Sequence, residues 1–213
     1  MKVIRIKGEE DVDSVKKTAR DVLLKGGLVV YPTDTVYGLG CDPLNVEAVR
    51  RVFLVKKRSF NKPLPVLIDS VETAKRIAYF TPLAQRLAKE FWPGPLTLIL
   101  KNKAEIPSIV TAGTGKIGIR IPNHRVALAL IGACNGMLIG TSANISGRQP
   151  PLSAMDAIRQ LGSGIDLVVD CGRVPIGIPS TCIDLTVSPP RLIRGGAIPL
   201  SLIRKIVVNL YHE

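Results

Sequence analysis

Histidine is scarce in this sequence, which contains only His124 and His212. A zinc site built on several histidines, or a histidine-centred triad, needs more than that supply, so neither is expected. The four cysteines, Cys41, Cys134, Cys171 and Cys182, are widely spaced with no C-x-x-C pair. That spacing argues against zinc or dithiol redox chemistry and for buried free thiols. Aromatic residues make up only 4% of the chain, leaving few platforms on which single-stranded bases could stack. No apolar run approaches membrane-spanning length, and Met1 to Lys7 alternates charged and apolar residues without the continuous apolar core of a secretory signal. A cytoplasmic location is therefore expected, with no membrane partner. A Walker lysine loop is also missing, so any ATP chemistry here needs a different phosphate cradle.

What is present in quantity is positive charge. Lys and Arg number 29 against 17 Asp and Glu in 213 residues, a formal net charge of +12. A field of that sign attracts polyanions, and nucleotides and nucleic acid are both candidates. A dispersed solubilising charge would give the same total. With 46% hydrophobic residues, the chain can bury a sizeable core, and one domain spanning 1–213 is expected.

Apolar periodicity changes repeatedly along the chain. Lys2 to Ile6 alternates like a strand; Val12, Val15, Ala19, Val22 and Leu23 fall at helical spacing until Gly26-Gly27. Leu28 to Tyr31 reads as a strand, Asn45 as the cap of a helix reaching about Val55, and Leu64 to Ile68 as another strand. Ser70 and Thr81-Pro82 open two more helices, the second closed by Trp92-Pro93-Gly94-Pro95. Strands are expected at Leu96 to Leu100, Ile117 to Ile121, Met137 to Gly140, Leu167 to Val169 and Cys182 to Leu185, with helices near Arg125–Ile131, Ala154–Leu161 and Leu202–Val207. The pattern predicts an α/β fold: a twisted mixed sheet flanked by helices, without internal repeats.

Several pattern matches carry no function. Gly113-x-Gly115-x-x-Gly118 fits a dinucleotide fingerprint but precedes a strand instead of joining a strand to a helix. Ser14-x-x-Lys17 lies on the first helix without companion motifs. Asn144-Ile145-Ser146 spells a glycosylation sequon that needs a secretory route.

Other segments place chemistry where strands end. After Val30 the apolar run breaks into Tyr31-Pro32-Thr33-Asp34-Thr35-Val36-Tyr37-Gly38, a loop in which hydroxyls, backbone groups and one carboxylate can converge on a small ligand. Gly140-Thr141-Ser142-Ala143-Asn144 repeats that logic, although Ser, Asn and Gly also build ordinary turns. Lys56-Lys57-Arg58 ends a helix, where the macrodipole favours cations, and leads into a polar loop able to hold them over a triphosphate. Lys116 and Arg120, four apart on a strand, share a face. Arg120 lies deeper in the apolar run, so its guanidinium requires an anionic partner, a substrate carboxylate being one.

Together these segments resemble the YrdC-like family. The likeness rests on Pro32-Thr33-Asp34-Thr35-Val36-Tyr37-Gly38-Leu39, Lys56-x-Arg58, Lys62-Pro63-Leu64, Trp92-Pro93-Gly94-Pro95-Leu96-Thr97, Gly118-x-Arg120-x-Pro122, Thr141-Ser142-Ala143-Asn144, Ser180-Thr181 and Arg194-x-Gly196. The blocks occur in the family's order. The resemblance implies a nucleotidyltransferase that joins L-threonine, bicarbonate and ATP into threonylcarbamoyl-adenylate and pyrophosphate, the product serving threonylcarbamoyl transferase machinery that modifies tRNA. It implies threonine contacts from Thr33, Arg120 and Ser180, and nucleotide contacts from Lys56, Arg58, Lys116, Gly140, Ser142, Asn144 and Arg194. Magnesium is implied as a counter-charge carried by ATP, with no protein ligand. The competing expectation is a module that binds double-stranded RNA or tRNA without catalysis.

Ser59 stands where many relatives have proline, and Leu67 where some place a histidine near threonine. Longer relatives append a second domain, and this chain is expected to lack it. Asp34 is a candidate general base by position alone.

Overall fold

The computed structural model describes residues 1–6, 8 and 11–211. Lys7 and His212, both read above, lie outside the described residues. In chain order the elements are β1 (Lys2–Arg5), α1 (Asp11–Leu24), β2 (Val29–Tyr31), β3 (Gly38–Gly40), α2 (Val46–Val55), β4 (Val66–Ile68), α3 (Val71–Ile77), α4 (Pro82–Phe91), β5 (Leu96–Lys101) and α5 (Ser108–Thr111). They continue with β6 (Lys116–Arg120), α6 (Arg125–Ala133), β7 (Met137–Ile139), β8 (Thr141–Ser142), α7 (Ala154–Leu161), β9 (Leu167–Asp170), β10 (Thr181–Asp184), β11 (Arg191–Arg194) and α8 (Leu200–Arg204).

Capping chemistry sets the helix starts. Asn45, Ser70, Thr81 and Ser153 each accept a hydrogen bond from a backbone N–H in the first turn of α2, α3, α4 and α7, and Pro82 opens α4 with its φ already helical. The last helix begins at Leu200, before the expected Leu202, because Pro199 supplies an extended residue that opens it earlier.

The mixed α/β architecture expected from the pattern is present, with its strands divided between two sheets. One has the order β1-β9-β2-β3-β8, the other β11-β10-β5-β6-β4-β7. Both mix parallel and antiparallel pairs: β2 runs parallel to β9 and antiparallel to β3, while β6 runs parallel to β4 and antiparallel to β5. The division happens at one residue. β7 pairs with β4 in the second sheet, β8 pairs with β3 in the first, and Gly140 alone separates them.

Strand alternation sorts side chains into two cores. Val29 and Tyr31 of β2 join Leu167 and Val169 of β9 under α1 and α6, with Val15, Ala19 and Leu23 packed down from α1. Val30 points the other way, into a larger cluster with Val66, Leu98, Ile119 and Phe53. Burying such aliphatic side chains contributes roughly 1.5–3 kcal/mol each before entropy is counted. That rigid double core holds the loops at the strand ends in place.

Candidate functional site

The loop after β2 is built around one hydroxyl. Thr33 Oγ1 donates to Val36 O at 2.7 Å and accepts from the N–H groups of Thr35 at 3.1 Å and Val36 at 3.2 Å. Its proton and both lone pairs are thereby spent within the turn. This leaves Thr35 and Asp34 to face another element: β6, arriving from the second sheet.

Arg120 ends β6 and is nearly fully buried, 5% exposed. Its Nε donates to Gly94 O at 2.9 Å, Nη1 to Thr35 Oγ1 at 3.0 Å, and Nη2 to Asp34 Oδ1 in a buried ion pair. The anionic partner that the sequence demanded is therefore on the chain itself, 86 residues away. Burial pushes the Arg120 guanidinium below its usual range, and the Asp34 carboxylate offsets part of that. The Gly94 carbonyl comes from the Trp92-Pro93-Gly94-Pro95 break, and Gly94 N in turn donates to Ile121 O at 2.9 Å.

At the other end of β6, Lys116 Nζ lies 3.0 Å from Asp184 Oδ2. Burial alone would push the Asp184 carboxyl up, but hydrogen bonds from Thr186 and the Lys116 charge outweigh it and hold it below the usual carboxylate range. β11, at the edge of the same sheet, delivers Arg194, whose Nη2 donates to Ser180 O at 2.9 Å and Ser180 Oγ at 3.2 Å; Ser180 Oγ also lies 2.8 Å from Thr97 Oγ1. Gly196 makes this approach possible. A Cβ there would strike the Pro179 carbonyl oxygen and lie 2.6 Å from Thr181 N, backbone atoms that have no rotamer to change.

The cations after α2 serve two different walls. Lys56 is 2% exposed; its Nζ donates to Ser142 O and, at 2.7 Å, to Asn144 O. Burial and the neighbouring Arg58 charge push its amine down to about 7. Arg58 reaches forward instead: Nε donates to Lys62 O at 3.2 Å and Nη2 to Pro63 O at 2.8 Å, closing the Ser59–Pro63 loop.

These walls enclose a cleft of about 920 Å³, open at one side and lined from both sheets. Thr33, Arg58, Lys116, Arg120, Gly140, Ser142, Ser180 and Arg194 all line it. Lys56 and Asn144 do not: they stand behind the wall, where Lys56 buttresses the Ser142–Asn144 turn and Asn144 Nδ2 donates to Ile145 O and Arg148 O. Gly140, which lines the cleft, also has a packing role. A Cβ built on it would collide with the Leu67 side chain, so its missing side chain admits Leu67. The reading of the sequence passed over Lys62 as a cation in its own right, together with Asp184 and Arg191, which also line the cleft. Lys62 stood in the Lys62-Pro63-Leu64 block, and Asp184 and Arg191 flank the Ser188-Pro189-Pro190 turn, so a polar strand end marked them. Among the described residues there is no group of three or more His, Cys, Asp or Glu that could hold a metal ion, and no helix is long and apolar enough to cross a membrane.

The Sua5/YciO/YrdC family model, described as telomere recombination, matches residues 21–196, the stretch that carries every wall of the cleft. The chain belongs to the Sua5/YciO/YrdC family. Among its Sua5/YciO/YrdC relatives, the threonylcarbamoyl-AMP synthase of Pyrococcus abyssi is 41% identical over 192 residues, which are 90% of this chain and 56% of that protein. A putative threonylcarbamoyl-AMP synthase of Methanocaldococcus jannaschii is 36% identical over 203 residues, 93% of this chain and 95% of that one. The chain thus spans little more than half of the first relative and nearly all of the second. Its fold superposes on the crystal structure of P. abyssi Sua5 complexed with L-threonine with a TM-score of 0.92 at 38% identity, covering 100% of this chain and 62% of the other. E. coli YciO follows with a TM-score of 0.84 at 25% identity, covering 97% and 98%.

Proposed function

We propose that this member of the Sua5/YciO/YrdC family is a threonylcarbamoyl-AMP synthase: a nucleotidyltransferase that forms threonylcarbamoyl-adenylate and pyrophosphate from L-threonine, bicarbonate and ATP. The observation that carries this reading is the pairing of a buried guanidinium, Arg120, with a band of further cations, Arg58, Lys62, Lys116, Arg191 and Arg194, around one cleft. One buried fork suits a carboxylate, and a band of cations suits a polyphosphate. Lys116 and Arg120 stand about 13 Å apart along β6, taking roughly 3.3 Å per residue, which separates an amino-acid end from a phosphate region. The likeness to P. abyssi Sua5, solved with L-threonine, supports the same ligand here.

In this reading the threonine amine is carboxylated by bicarbonate to a carbamate with loss of water, a carbamate oxygen attacks the α-phosphorus of ATP, and the bond from that phosphorus to the oxygen bridging the β-phosphate breaks to release pyrophosphate. The protein contributes orientation and charge balance. Arg120 receives the threonine carboxylate, and Ser180, fixed between Thr97 and Arg194, lies on the same wall. Arg58, Lys116 and Arg194 offset the triphosphate. Lys56 and Asn144 act through the Ser142 turn they hold. Asp34 faces Arg120 and does not line the cleft, so it is a poor general base. Magnesium is proposed to arrive on the nucleotide. The carboxylates closest to hand, Asp34 and Asp184, are each taken up by a cation and offer no cage for it. The product would pass to a threonylcarbamoyl transferase acting on tRNA.

The test is to incubate purified protein with ATP, magnesium, bicarbonate and L-threonine and follow pyrophosphate and the mass of threonylcarbamoyl-adenylate. Pyrophosphate release that depends on threonine is expected. Folded protein that releases none overturns the reading and returns the cationic face to RNA binding, which would show a steep salt dependence.

A further inference from the structure

Among the described residues Asp34 is the carboxylate in direct contact with Arg120, and its setting is unusual. A guanidinium has five N–H donors. Gly94 O, Thr35 Oγ1 and Asp34 Oδ1 take three, leaving one on each terminal nitrogen of Arg120. Arg120 lines the cleft and Asp34 does not, so a ligand there meets the guanidinium and not the carboxylate. The second oxygen of Asp34, Oδ2, is buried and has no hydrogen-bond partner. The other titratable group whose charge Asp34 influences is His124. Burial depresses its pKa despite Asp34, and its Nδ1 is also buried without a partner. The adjoining Arg125 carries a positive charge that further disfavours protonation of His124. The Asp34 carboxylate is therefore committed to Arg120.

We propose that Asp34 is a positioning residue: it balances the buried charge of Arg120 and fixes its plane so that two N–H groups remain aimed at a substrate carboxylate. This deepens the function proposed above and rests on Arg120 receiving the carboxylate of threonine. Without Asp34, the buried cation would attract that carboxylate more strongly. With Asp34 present, the substrate binds through directed hydrogen bonds to an already neutralised pair. Affinity is thereby held down while geometry is kept, which leaves more of the interaction for the transition state.

The experiment compares wild-type protein with Asp34→Asn, which keeps the shape and one acceptor but removes the charge. Binding of L-threonine and of L-threoninamide, which lacks the carboxylate, is measured by calorimetry. The expected result is a threonine Kd lowered at least about fivefold in Asp34→Asn, with no gain for threoninamide. A residue that merely supports the loop would weaken both ligands. Threonine binding unchanged or weakened in folded Asp34→Asn overturns the proposal. Should Asp34→Asn not fold, it is combined with Arg120→Gln. Recovery of folded protein identifies the unbalanced guanidinium as the defect and supports the proposal; failure to recover it overturns the proposal. Wild-type protein that binds no threonine overturns the proposed function as well, whereas wild-type binding with no gain in Asp34→Asn overturns this inference alone.

Discussion

At the scale of single residues, two positions behave differently from what their residue type suggests. Lys56 is a lysine used as an internal brace. Folded Lys56 releases its proton near pH 7, whereas in the unfolded chain it keeps that proton to about pH 10.4. Between those values the unfolded state binds more protons, so the contribution of this residue to stability rises with pH. Lys56→Met removes that slope. In urea titrations from pH 7 to 10, the unfolding free energy of the variant is expected to fall progressively relative to wild type; parallel curves would count against a depressed lysine. Gly140 is the second case, since its α-carbon faces Leu67. Gly140→Ala is expected to destabilise by about 1–3 kcal/mol through overpacking. Trimming the neighbour in Gly140→Ala/Leu67→Ala should recover part of that loss relative to the sum of the single changes. Additive losses would show that the two side chains do not compete for one space.

At the scale of elements, the site depends on how closely β11 lies against the start of β10. Gly196→Ala forces the backbone around Arg194 away from Pro179 and Thr181, and with it the guanidinium from Ser180. The expected outcome is a KM for ATP raised at least about tenfold, the effect of losing one well-placed charged contact. Unchanged nucleotide kinetics in a folded variant would remove Arg194 from that role. How much of this was legible beforehand follows the physics of each element. Helices announced by local chemistry were read closely: α7 has the bounds expected for it, and Asn45, Ser70 and Thr81 cap where the sequence placed them. Elements defined by distant partners were not. β3, Gly38–Gly40, has no apolar alternation and is a strand because its glycines admit the ring of Tyr31. β8 is two residues long, and β11 reads only as a short apolar run before a loop until it pairs with β10. The site divides in the same way. Arg120, Ser180 and Arg194 were visible as polar residues at strand ends, but the partners Asp34 and Asp184, 86 and 68 residues away from their cations, were not assignable without the sheet order.

At the scale of the molecule, both sheets contribute walls to one cleft, so a ligand that touches Thr33 and Gly38 on one side and Arg120 and Ser180 on the other ties them together. ATP alone at about a hundred times its Kd should add roughly 2.7 kcal/mol to unfolding. For a chain of this size that raises Tm by about 5–10 °C. Scanning calorimetry should show the shift shrinking between low and high salt, because screening weakens the cationic band; a shift insensitive to salt would argue that the phosphates bind elsewhere. The same sheet order also governs how the chain is made. Val29 of β2 pairs with Leu167 of β9, and a ribosome adding 5–20 residues per second takes about 7–28 seconds to cover the interval. During that time Leu28-Val29-Val30-Tyr31, later wholly enclosed, has β3 on one edge and leaves its other edge open until β9 is made. The strand that ends in the Thr33–Asp34 loop is therefore also a place where a nascent chain gains from a chaperone.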